Sequence, residues 1–82
     1  MTVQGLTSEQ TSMLEFAVRW CPYGGGEPGD ILVEFGLTDQ DYFTRLSTLL
    51  TTRSLATGLD EATLAALRAT CQHRLASAYA PR

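Results

Sequence analysis

Lysine is absent from this 82-residue chain, histidine occurs once and cysteine twice. The missing lysine matters for WCPYGGGEPGD at positions 20–30, where three consecutive glycines invite comparison with a phosphate-binding loop. Such a loop needs a G-x-x-x-x-G-K-[ST] pattern and free backbone donors. Here the glycines are instead followed by Glu27 and Asp30, carboxylates that repel an anion. Long apolar runs are also missing. None approaches the roughly 20 residues that span a bilayer, and MTVQGLTSEQ has neither the basic start nor the apolar stretch of a secretory leader. No membrane partner is expected, and the expected location is the cytoplasm.

The two thiols, Cys21 and Cys71, are too few for a disulfide framework and fit packing roles in a reducing compartment. Cys71 and His73 form a C-x-H pair, a spacing that matches no standard zinc pattern. Neither a metal nor any other cofactor is expected. Catalysis has little to build on: the lone histidine falls on the polar side of its helix and no serine or cysteine sits in a triad motif. The chain is not expected to be an enzyme.

What is present is an uneven charge and a helical pattern. Seven carboxylates and one arginine lie in residues 1–44, whereas five arginines and two carboxylates lie in residues 45–82. The net charge is −3 with 44 % apolar residues, enough for one modest core. An acidic whole disfavours nonspecific attraction to nucleic acid.

Thr7 and Gln10 form a capping-box signature ahead of Met13, Leu14, Phe16, Ala17, Val18 and Trp20, which predicts a first helix ending near Trp20, where Pro22 stops it. Gly24, Gly25 and Gly26 suit a chain reversal and Pro28 suits the first turn of a new helix. That helix is short, with Ile31, Leu32 and Phe35 on one side and Gly36 as its stop. Thr38 caps a third helix whose buried stripe is Tyr42, Phe43, Leu46, Leu49 and Leu50. Asp60 caps a fourth, running to about Tyr79, with Leu64, Leu67, Cys71, Leu75 and Ala78 on one stripe. The expected fold is all-α: a small four-helix domain with a helix-turn-helix core at about 27–52 and a longer C-terminal helix at about 60–79.

The run LEFAVRWCPYGGGEPGDILVEFGLTDQDYFTRLSTLL, from Leu14 to Leu50, resembles a family of small actinobacterial proteins of uncharacterised function with a helix-turn-helix-like core. The similarity lies in LEF, Trp20, Tyr23 before the glycine turn, Phe35, Leu37-Thr38, the Tyr42-Phe43 pair, and Leu46 with Leu49. It implies a helix-turn-helix fold and, by analogy, DNA binding. Asp41 departs from the pattern, standing where an arginine is expected.

The leading functional expectation is DNA binding in transcriptional regulation, with Thr44, Arg45, Thr48, Thr52 and Arg53 as contact candidates on the outer face of the third helix. The competing expectation is a non-enzymatic adaptor whose acidic N-terminal half docks a basic protein. On the fourth helix, Leu64, Leu67, Cys71 and Leu75, edged by Arg68 and Arg74, are candidates for a dimer or partner interface. The same stripe can instead complete the monomer's own core. Trp20 is expected to be a lid on that core, with an aromatic platform shared with Tyr23 as the alternative.

Overall fold

The computed structural model describes residues 6–79, with side chains described as far as Ala76. The side chain of Ala78 on the expected stripe therefore lies outside what is described, as does the tail arginine Arg82. Among the described residues the chain is all-α, with four α-helices and no strand. They are α1 (Ser8–Trp20), α2 (Pro28–Phe35), α3 (Asp39–Thr52) and α4 (Glu61–Tyr79).

Each helix start has a local cause. The Thr7 hydroxyl accepts from the Gln10 amide at 3.0 Å while the Gln10 side chain accepts from the Thr7 amide at 2.9 Å, closing the capping box of α1. Pro28 opens α2, where its missing donor costs nothing. Gly36 ends α2 with φ 70°, returning its amide to the Leu32 carbonyl. Two residues later the Thr38 hydroxyl accepts from the Asp41 amide at 3.1 Å and α3 begins. The tight connection makes α2 and α3 a helix-turn-helix arrangement. Before α4, the Thr63 hydroxyl donates to Asp60 and holds its carboxyl below the usual carboxylate range.

Pro22 does not break the chain path cleanly. It sits inside a 3-10 turn over Cys21–Tyr23, so α1 tightens by one turn before the glycines reverse direction. A second 3-10 turn, Leu55–Thr57, joins α3 to α4.

The core forms around Tyr42, which is fully buried. Its ring stacks on Phe35 with centroids 5.2 Å apart and meets Phe16 and Phe43 edge-on at 5.6 and 4.9 Å. Its hydroxyl donates to the Met13 carbonyl at 2.8 Å, so the buried phenol has a partner and its pKa is raised, chiefly by burial. The expected α3 stripe of Tyr42, Phe43, Leu46, Leu49 and Leu50 is buried throughout. Its main partner is α4, packed antiparallel: Arg68 reaches back to Leu50, and Arg74 reaches further back to Phe43 and Asp39.

Three sequence expectations need correction here. Val18 is 43 % exposed and Leu32 is 55 % exposed, so neither joins the core. Each lies at the margin of its helix's apolar side, and no neighbouring element extends far enough to cover it. The third concerns α4. Leu64, Leu67 and Cys71 are buried in the chain's own core and Leu75 packs partly buried against it. Of the two readings of that stripe, the intramolecular one is what the fold uses, because α3 needs an apolar cover and α4 supplies it. These residues therefore offer no exposed seam to a second copy.

Candidate functional site

The outer face of α3 exposes Thr44, Arg45, Thr48 and Thr52, with Arg53 half-buried at the helix end. The hydroxyl protons on this face are largely committed. Thr48 donates to the Thr44 carbonyl at 3.1 Å, Thr51 to Ser47 at 3.0 Å and Thr52 to Thr48 at 2.8 Å. This bonding one turn back leaves methyl groups and lone pairs facing outward, and removes the donors that a base edge would use. Across from the face stand Thr7, Glu9 and Gln10, so that Arg45 and the threonines line one wall of a groove of about 500 Å³. Glu9 and the exposed Asp41 put negative charge beside the very arginine that a phosphate would seek.

Two other arginines have gone elsewhere. Arg74 extends into the glycine corner, donating to the carbonyls of Gly24 at 2.9 Å and Gly26 at 2.8 Å. Its guanidinium carbon lies 4.6 Å from the Phe43 ring centroid, and a second nitrogen lies 3.6 Å from Asp39. The corner therefore turns acceptors, not donors, toward a cation, the reverse of a phosphate cradle. Arg68 donates to the Leu50 carbonyl at 2.9 Å, serving one of the unpaired carbonyls in the last turn of α3. Neither arginine rims an apolar seam, as the sequence expectation had it. Both hold the monomer together.

Carboxylates, by contrast, stay at the surface. Glu27, the N-cap of α2, is exposed, as are Asp30 and Glu34, which lie one turn apart on the helix. Val33, 87 % exposed, and the half-exposed Leu32 belong to the same helix. This apolar pair is the feature that sequence reasoning missed. The run LVEF did not mark it, because consecutive residues can both face a core, as Leu49 and Leu50 do on α3.

Trp20 is partly buried, with its ring 6.0 Å from Phe16 and edge-on to Tyr23 at 5.8 Å. Tyr23 itself is 76 % exposed. Cys71 and His73 diverge, the thiol fully buried and the imidazole exposed. Among the described residues no three His, Cys, Asp or Glu side chains come together as a metal site, and no helix is long and apolar enough to cross a membrane.

Burial, reinforced by the neighbouring Cys21, pushes the Cys71 thiol up to about 11. A raised thiol pKa keeps the unreactive neutral form across the physiological range. Titration of the native protein with a disulfide reagent at pH 8 should therefore release one equivalent promptly, from the half-exposed Cys21, and the second only on unfolding. Stability supported by the neutral Cys71 should be complete below pH 9 and decline as pH rises through about 11.

No family model, curated protein or solved structure matches the chain. The geometry of the surface carries the functional reading.

Proposed function

We propose that this chain is a non-enzymatic interaction module that docks a basic protein on the exposed face of α2. One observation carries the reading: Arg68 and Arg74 are spent on internal carbonyls, while Glu27, Asp30 and Glu34 remain exposed on the helix that also exposes Val33 and Leu32. Exposed apolar surface flanked by charge is the ordinary composition of a transient interface. The carboxylates would steer a cationic partner and fix its orientation, and the apolar pair would supply the contact area. The partner's complementary surface would carry arginine or lysine around one or two apolar side chains.

The test pairs capture with titration. A basic protein recovered on immobilised wild type should be lost with the combined variant Glu27→Gln, Asp30→Asn and Glu34→Gln. Direct titration of that protein should weaken by about tenfold or more, equivalent to about 1.4 kcal/mol. Undiminished binding by the variant would dismiss the α2 face.

A second reading has its own support. The helix-turn-helix arrangement, the resemblance over residues 14–50 and the exposed Arg45 favour DNA binding in transcriptional regulation through Thr44, Arg45, Thr48, Thr52 and Arg53. That reading requires a gel shift at low salt which fades as salt rises and disappears in Arg45→Ala and Arg53→Ala. Absence of any shift at low salt would remove it.

A further inference from the structure

A hollow of about 520 Å³ lies between α1 and the α3–α4 connection. Leu6, Leu14 and Val18 line it together with Ala56 and Leu59 from the α3–α4 connection, and its polar lining includes Thr11, Thr57, Glu15 and Arg19. Adjoining Ala56, Leu55 is 96 % exposed, the most exposed large apolar side chain described. An apolar hollow thus sits next to an apolar knob that the chain's own fold leaves uncovered.

A knob and a hollow on one surface are what a two-fold interface requires, because each copy must offer both halves of the contact. The charges obey the same symmetry. Glu15 and Arg19 are one turn apart on α1, and neither has an ion-pair partner among the described residues. Where two α1 helices run antiparallel across a two-fold axis, residues on either side of the axis exchange neighbours. Glu15 of each copy then faces Arg19 of the other, giving two ion pairs from one self-complementary sequence. A like-sign arrangement would have resisted such pairing.

We propose that the occupant of this hollow is a second copy of the chain: α1 and the Leu55–Leu59 segment form a two-fold dimer interface, with each Leu55 seated in the other copy's hollow and Glu15 paired with Arg19 across the axis. This interface replaces the α4 seam expected from sequence, whose residues are consumed by the core. It uses none of the α2 carboxylates and stands independently of the function proposed above.

The charge pattern supplies a test that a merely structural role cannot imitate. Sedimentation equilibrium on wild type should show a monomer–dimer equilibrium between micromolar and millimolar concentration. Glu15→Arg alone and Arg19→Glu alone should each be monomeric, since like charges then meet across the axis. An equimolar mixture of the two variants should recover the dimer, because each then carries the complement of the other. Leu55→Glu should abolish association while keeping the wild-type melting temperature at concentrations low enough for both to be monomeric, as this side chain supports nothing within the monomer. A wild type that stays monomeric at millimolar concentration, a mixture that stays monomeric, or a dimer that survives Leu55→Glu would each overturn the proposal.

Discussion

Gly26→Ala should cost about 2–5 kcal/mol of folding stability, a large share of the roughly 4–12 kcal/mol that holds a domain of this size together. Two effects combine. Gly26 has φ 106°, a backbone conformation that side chains avoid, at a cost of about 1–2 kcal/mol. An added Cβ would also lie 2.6 Å from Cε1 of Phe16, inside the packing distance of any real carbon pair. Phe16 cannot retreat freely, because its ring is held edge-on between Phe35 and Tyr42. Overpacking of this kind adds about 1–3 kcal/mol. In thermal unfolding followed by circular dichroism, the midpoint should fall by at least about 8 °C.

Gly24 separates the two effects. It too has a positive φ, 91°, but nothing lies within 4 Å of its added Cβ. Gly24→Ala should therefore show the backbone cost alone. If the two variants unfold at the same midpoint, the contact with Phe16 is not what constrains the corner.

Arg74→Ala should be nearly as damaging, at about 3 kcal/mol, and its partners differ in what they contribute. A hydrogen bond to a charged group stabilises by about 1.5–3 kcal/mol, and two here satisfy carbonyls of a turn that has few other donors to offer. The contact with the Phe43 ring adds about 1 kcal/mol. The ion pair to Asp39 is long at 3.6 Å and lies at the surface, where such pairs contribute about 0–1 kcal/mol. The sum is less than additive because one side chain makes all the contacts. Asp39→Asn should accordingly change the unfolding midpoint little. Arg74→Lys should recover only part of the loss, since an ammonium on a flexible stem cannot hold two carbonyls and lie flat on a ring. Equal losses from Asp39→Asn and Arg74→Ala in urea unfolding would show the ion pair, not the carbonyl clamp, to be the fastener.

These two predictions concern one joint, and it explains why the glycines occur as a run. Gly26 lets the chain pass against Phe16, and Gly25 lets it pass between Thr70 and Phe43. Arg74 then closes the turn from α4. The corner is a fastening between the two halves of the chain. With that arginine and Arg68 turned inward, neither offsets the exposed carboxylates at α2.

Much of this was legible beforehand because it is local. Thr7 with Gln10, Pro28, Gly36 and Thr38 each act on groups within four residues, so their roles follow from spacing and chemistry alone. The α3 stripe was equally plain, since its helical period leaves one apolar side and that side must be covered. Exposure at the margins was not legible. Val18 and Leu32 fit their helical stripes, yet burial depends on whether another element reaches them. The outward pair on α2 and the hollow beside α1 were missed for the same reason.

The sequence by itself determined where the helices begin and end, which side of α3 is apolar, and that the glycines between α1 and α2 take positive φ. Only the tertiary structure decided where the arginines point and what covers α4. Arg74 reaches partners up to fifty residues away, and Arg68 a partner eighteen away. The physical reason is range: caps and periodicity are fixed by neighbours along the chain, whereas a long cationic side chain goes to whichever acceptors folding brings within its reach.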